Sequence, residues 1–115
     1  SFHHEISFQH HFASFEQPEL KISGSQAIHI HRILQEAIHN AVKHASAQNI
    51  HVTVTEQHRN VLLQISDDGV GMEPNKTHEG NGIANMKKRA EVLGGKLDIR
   101  SEKGKGTVIE LTCRF

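Results

Sequence analysis

The chain has 115 residues, with 13 Lys plus Arg, 13 Asp plus Glu and 11 His, and a formal charge of +0 when every His is neutral. At an unperturbed pKa near ~6.5 the imidazoles add only about two to three positive charges at pH 7, and there is no Trp or Tyr to stack on bases, so a nucleic-acid footprint is excluded. The length suits one compact domain, 36% hydrophobic residues suffice for one core, and the longest apolar run, residues 61–63, falls far short of the about twenty that a membrane span needs.

Ser1-Phe2-His3-His4-Glu5 lacks the basic-then-apolar order of a signal peptide. Cys113 is alone, which excludes an internal disulfide and a cysteine zinc cluster and fits a reducing, cytoplasmic compartment; membrane anchorage of a parent protein is left open. Phe2, His4, Ile6, Phe8, His10 and Phe12 alternate with polar residues, predicting a strand over 2–12 with one buried face. Residues 13–24, containing Pro18, read as a connection with a short extended piece at 20–22, and Ser25 is placed to cap a helix beginning just after it. Ile30, Ile33, Leu34, Ala37, Ile38, Ala41, Val42 and Ala45 have helical spacing, predicting a long amphipathic helix over 27–45.

Ile50, Val52 and Val54, then Val61, Leu63 and Ile65, predict two strands joined as a hairpin by a turn over 57–60. Residues 67–82 are polar and glycine-rich, a loop. Ile83, Met86, Ala90 and Leu93 form a second helical pattern, stopped by Gly94-Gly95. Leu97 and Ile99, then Ile109, Leu111 and Cys113, predict two last strands around a turn over 104–106. This order implies an α/β (α+β) two-layer sandwich whose sheet is mixed and mainly antiparallel, with the helices on one face.

On the long helix the apolar set centres near Ala41 and Leu34, while Glu36, Asn40 and Lys43 share roughly 60° of the opposite side. Such a stripe is either a solvated face or a metal and phosphate site, with an amide oxygen on Mg²⁺, an ammonium on phosphate and a carboxylate as base. Asp67, ending a strand before Gly69 and Gly71, can accept from an exocyclic amine while the glycines admit a flat ring; a plain Asp-Gly turn is the alternative. Gly80-Asn81-Gly82 before a helix offers backbone N–H groups to a phosphate chain. It is no dinucleotide fingerprint, because Asn85 stands at the third glycine, and Gly104-Lys105-Gly106-Thr107 lacks P-loop spacing. The histidines do not assemble a metal site: His29 and His31 point to different sides, His39 and His44 are five apart, and His3-His4 and His10-His11 split across strand faces. His51 and His58 would meet only through the hairpin turn.

Taken in order, Glu36-x-x-x-Asn40-x-x-Lys43-His44, Asp67-x-Gly69-x-Gly71, Gly80-x-Gly82-Ile83-x-Asn85-Met86 and Gly104-x-Gly106-Thr107 resemble the N box, G1 box, G2 box and closing strand of the GHKL ATPases. More narrowly, residues 35–45 and 85–95 are similar to the catalytic, ATP-binding domain of bacterial sensor histidine kinases of the subclass that signals to LuxR-type response regulators. The resemblance implies the Bergerat fold and an ATP site with Mg²⁺. Asp67 would bind the adenine amino group, with Gly69 and Gly71 shaping the pocket and Thr107 near it. Asn40 would hold Mg²⁺, Lys43 and His44 would face the phosphates, Gly80, Gly82 and Ile83 would belong to a lid, and Glu36 would be the candidate base.

The resemblance further implies transfer of the γ-phosphoryl group to a His on a separate dimerisation and phosphoacceptor domain, with a response regulator as indirect partner and no direct membrane contact. Only eight residues separate Gly71 from Gly80 and none is Phe, so the phenylalanine box of many histidine kinases is missing, in keeping with the short lid of this subclass. His4-Glu5 lies 32 residues before Glu36 in a strand pattern, so the acceptor helices are not expected here. An anti-sigma-factor type serine kinase is the related alternative, disfavoured by Asn85-Met86-x-x-Arg89 and the short lid; a nucleotide-binding interaction module without turnover is the other.

Overall fold

The computed structural model describes residues 5–12, 22–43, 47–70, 82–102 and 104–115. Five strands and two helices are arranged in the order β1 (Glu5–Phe12), α1 (Gly24–Lys43), β2 (Asn49–Gln57), β3 (Asn60–Asp67), α2 (Gly82–Val92), β4 (Lys96–Glu102) and β5 (Gly106–Arg114). They build one sheet ordered β1-β2-β3-β5-β4, with β1 parallel to β2 and every other pair antiparallel. The mixed, mainly antiparallel sheet expected from the alternation is therefore present. In β1 the alternation overstates burial, because Ile6 remains 54% exposed at the sheet edge although its partner Ile50 is fully buried. Of the extended piece expected at 20–22, only Ile22 lies within the described residues, and it is not in a strand.

Side chains at alternate positions of β2, β3 and β5 point to one face, where Val52, Leu63, Ile65, Ile109 and Leu111 meet Ile33, Ala37 and Ala41 of α1 and Met86 and Ala90 of α2. Each large aliphatic side chain so buried stabilises the fold by about 1.5–3 kcal/mol. The β2–β3 hairpin closes through His58 and Arg59, both with positive φ (49° and 68°), the backbone of a turn whose twist matches that of its strands. The last residue secures it, Phe115 N–H donating to the Arg59 carbonyl at 2.8 Å. At the end of α2 the N–H groups of Gly94 and Gly95 bond back to Glu91 and Ala90, each at 2.9 Å, and Gly94 has φ +71°; only glycine adopts that conformation freely.

Two details of α1 differ from the sequence reading. The helix begins at Gly24 and is capped by Ser23, not Ser25: the Ser23 hydroxyl accepts the Gln26 N–H at 3.1 Å while the Gln26 side chain accepts the Ser23 N–H at 2.8 Å. The buried seam runs through Ile33, Ala37 and Ala41, whereas Leu34 and Ile38 are only half-buried. The helix is thus turned by roughly 50° from the orientation expected at 100° per residue. The two alanines let α1 approach the sheet, and bulky Leu34 moves to the flank. Asn40 and Glu36 consequently border the seam instead of lying opposite it.

The chain beyond α1 is tied to the end of β3 by Asp68. Its Oδ1 accepts the N–H groups of Gln48 (2.8 Å) and Asn49 (2.9 Å), and its Oδ2 accepts the Asn49 side-chain amide at 2.8 Å. The Asn49 backbone donor, then its side chain, hold the Asp68 carboxyl below the ordinary value of 3.8. A depressed folded-state pKa means that this staple stabilises fully above the ordinary value and is lost as pH falls through the lowered one. The melting-temperature deficit of Asp68→Ala is therefore expected to be largest at neutral pH and to close on acidification below pH ~4. A deficit independent of pH would contradict it.

Candidate functional site

At the mouth between α1, α2 and the sheet lies a small cleft, open on one side. Its lining combines Ala37, Asn40 and Ala41 from α1, Asp67 from the end of β3, Ile83 from the start of α2, Ile99 from β4, and Thr107 and Ile109 from β5. Small Ala37 and Ala41 leave a slot, and the isoleucines make its walls apolar, which suits a flat ring. Asp67 is the half-buried acid of the site because it continues the inward alternation of Leu63 and Ile65 and pairs with Thr107 across the β3–β5 ladder. Its Oδ1 accepts the Gly69 N–H at 2.9 Å, and the Thr107 backbone N–H donates to the same carboxylate. Burial raises the Asp67 pKa above its ordinary value; the two N–H donors oppose that, and the adjacent Asp68 charge adds to it. Gly69 is buried beside it, and Thr107 is only 5% exposed.

Glu36, one turn before Asn40, faces a second, more polar cavity shared with Arg32, Gln35, Asn85, Met86 and Arg89. The Arg89 guanidinium also donates to His29 Nδ1 at 3.1 Å. Gly82 separates the two spaces: a Cβ there would lie 1.7 Å from Glu36 Oε1, so the first residue of α2 sits directly on the Glu36 carboxylate.

Of the residues singled out from sequence, the structure brings Asn40, Asp67, Ile83 and Thr107 to one cleft, with Gly69 beside Asp67 and Glu36 against Gly82. Gly82 and Ile83 begin α2. Lys43 is exposed in the last turn of α1 and lines neither cavity. His44, Gly71 and Gly80 lie outside the described residues. Among the described residues no group of three His, Cys, Asp or Glu side chains is placed to hold a metal ion, and no helix is long and apolar enough to cross a membrane. Sequence reasoning missed Ile99, the alanine slot, and Ser101 behind Thr107. Ser101 carried a signal, as the one polar member of the inward series Leu97, Ile99, Ser101.

Residues 25–115 match the family described as histidine kinase-, DNA gyrase B- and HSP90-like ATPases. Among curated proteins the chain is similar to the signal transduction histidine-protein kinase/phosphatase UhpB of Salmonella typhimurium, 34% identical over 97 residues, and to the nitrate/nitrite sensor protein NarQ of Escherichia coli, 37% identical over 99 residues. It is also 39% identical over 83 residues to the histidine-protein kinase/phosphatase DegS of Brevibacillus brevis. These alignments cover 84%, 84% and 71% of this chain but only 19%, 18% and 22% of those proteins, so the chain spans about a fifth of their length. Among solved structures, the histidine kinase domain of a blue-light activated histidine kinase from Erythrobacter litoralis superposes with a TM-score of 0.67 at 20% identity, covering 95% of this chain and 51% of that one, which shows a shared fold.

Proposed function

Because the chain belongs to the family of histidine kinase-, DNA gyrase B- and HSP90-like ATPases, we propose that it is the ATP-binding catalytic domain of a sensor histidine kinase. It holds Mg-ATP in the cleft of Asn40, Asp67 and Thr107 and donates the γ-phosphoryl group to a His of a separate dimerisation and phosphoacceptor domain; a LuxR-type response regulator receives it later. The observation that carries this reading is the half-buried Asp67 carboxylate, raised in pKa and facing an apolar slot that also contains Asn40. A carboxylate there accepts a hydrogen bond from an amine on a flat ring, and the ring's apolar faces replace water against Ile83, Ile99 and Ile109.

The base end of the nucleotide at Asp67 leaves the phosphates to run past Asn40. The Asn40 amide oxygen is a hard oxygen donor in the cleft and fits Mg²⁺ held jointly with phosphate oxygens. When bound, Mg²⁺ neutralises charge building on the phosphate oxygens. Lys43, on the next turn of α1, is assigned to the phosphates, and His44 and the lid glycines Gly71 and Gly80 complete the proposed site. In the transfer, the bond from the γ-phosphorus to its bridging oxygen breaks, the electron pair leaves with ADP, and a phosphorus–nitrogen bond forms to the acceptor imidazole. Glu36 is our candidate for the base that takes the proton released by the acceptor imidazole.

Titration calorimetry of the chain with a non-hydrolysable ATP analogue tests the reading, and phosphotransfer to a supplied acceptor domain extends it. Wild type is expected to bind the analogue, more tightly with Mg²⁺. Asn40→Asp is expected to change the Mg²⁺-dependent gain by roughly tenfold, the effect of about 1.4 kcal/mol at one ligand. A gain identical in the variant would remove Asn40 from the metal.

A further inference from the structure

Arg89 lines the polar cavity together with Glu36, the one acid among the described residues there, yet its guanidinium is engaged elsewhere, donating to His29 Nδ1 at 3.1 Å. A guanidinium has donors only, so the direction of this bond is fixed and His29 must present an unprotonated Nδ1. His29 and Glu36 lie two turns apart on the same stripe of α1. The Arg89 side chain, reaching across from α2, therefore has a neutral acceptor toward one end of that stripe and a carboxylate toward the other. Among the described residues no ion pair joins Glu36 to Arg89 or to Arg32. Arg32, one turn before Glu36, is exposed, where an ion pair is worth little; Arg89 and Glu36 are both half-buried, where opposite charges are less screened.

We infer that His29 is a positioning residue for the proposed transfer: by accepting from Arg89 it holds the guanidinium off Glu36 and leaves that carboxylate free to take the proton of the acceptor imidazole. The inference rests on the proposed role of Glu36 as base, and His29 itself lines neither cavity. A carboxylate paired with a guanidinium is stabilised in its charged form and is therefore a weaker base. Without the His29 imidazole, Arg89 is left with Glu36 as the charged acceptor of its own cavity. The pair that then forms slows transfer, while the base end of the cleft, at Asp67, is untouched.

The test measures phosphotransfer from saturating ATP to a supplied phosphoacceptor domain, with ADP affinity followed calorimetrically alongside. His29→Ala is expected to lower the transfer rate roughly tenfold, part of the about 10²–10⁴-fold that a positioned base supplies, with ADP affinity unchanged. His29→Gln, whose side-chain carbonyl can accept from Arg89, is expected to stay near the wild-type rate. The deciding variant is the double one. Adding Arg89→Gln to His29→Ala is expected to restore the rate, because the guanidinium through which the first substitution acts is gone. If His29 merely tied α1 to α2, the double variant would lack the same contact and stay as slow as His29→Ala. An unchanged rate in His29→Ala, a loss that Arg89→Gln does not relieve, or an equal loss of ADP affinity would each overturn the inference. A rate unaffected by Glu36→Gln would instead overturn the assignment of Glu36 beneath it, and a wild type that binds no ADP would overturn the nucleotide-binding reading.

Discussion

Asp67→Asn is expected to weaken binding of ADP or an ATP analogue by roughly 10- to 150-fold, the range of a hydrogen bond to a charged acceptor, about 1.5–3 kcal/mol. The amide of Asn can still accept the Gly69 or Thr107 N–H through its oxygen, but its NH₂ then faces the exocyclic amine donor to donor. The unliganded chain should respond differently. Burial is the main reason that the Asp67 carboxyl titrates above its ordinary value. A group with a raised folded-state pKa costs stability where it is charged, and that cost disappears as pH falls through the raised value. Asn carries no such cost. The melting temperature of Asp67→Asn relative to wild type is therefore expected to be highest at neutral pH and to decline on acidification, while its nucleotide affinity is poor throughout. In wild type, nucleotide affinity should fall as pH drops through the Asp67 pKa, because the protonated carboxyl accepts less well. Unchanged affinity in Asp67→Asn would remove the carboxylate from the base site. A variant less stable than wild type at neutral pH would make Asp67 a structural residue instead.

Much of this fold is local and therefore legible. The alternation of Val61, Leu63 and Ile65 and the spacing of Met86, Ala90 and Leu93 report faces that are buried as their periods require, and Gly94-Gly95 stops α2 by backbone geometry that few other residues adopt. The same alternation, extended by one step, turns Asp67 inward, while Asp68 falls outside it. What the neighbouring acid does was not legible, since its partners Gln48 and Asn49 lie about twenty positions away and meet it only through the β2–β3 pairing.

The rotation of α1 was hidden for a related reason. Hydrophobicity weights Leu34 and Ile38 above Ala37 and Ala41, but close approach to a sheet favours the small residues, so the centre of the apolar arc is not the centre of the contact. Ser23 could have been read as the cap from Gln26 three residues on. The histidines stood out in the composition, yet His29 and His51 hydrogen-bond to Arg89 and Ser7, and among the described residues the imidazoles assemble no ligand set. Lys43 shares the motif's spacing with Asn40 but not its burial, because at 100° per residue it falls roughly 120° around α1 from the seam of Ile33, Ala37 and Ala41.

Gly106→Ala is expected to destabilise the chain by about 2–5 kcal/mol, the left-handed backbone cost plus that of forcing packed backbone apart, and a paired variant separates the two causes. Gly106 has φ +87°, and a Cβ built on it would lie 2.1 Å from the Asp67 carbonyl oxygen, 3.1 Å from the Asp67 carbonyl carbon and 3.3 Å from Asp68 Cα. All three obstacles are backbone, so relief requires β3 and β5 to part at the Asp67–Thr107 pair, the pair to which the base site is assigned in our proposal. Gly104, two residues earlier, has the same backbone conformation, φ +85°, with nothing within 4 Å of its Cβ position. Gly104→Ala should therefore cost only the left-handed backbone term, about 1–2 kcal/mol. The remaining ~1–3 kcal/mol in Gly106→Ala is the forced separation of packed backbone. Thermal or denaturant unfolding of the two variants measures the difference directly. Because the strand separation moves Asp67, Gly106→Ala is also expected to lose nucleotide affinity, and most of that loss should vanish in an Asp67→Asn background, where the carboxylate contact is already absent. Equal destabilisation by the two alanines would mean that β3 yields at no cost, and the close approach of Gly106 to Asp67 would then not be what shapes the base end of the cleft.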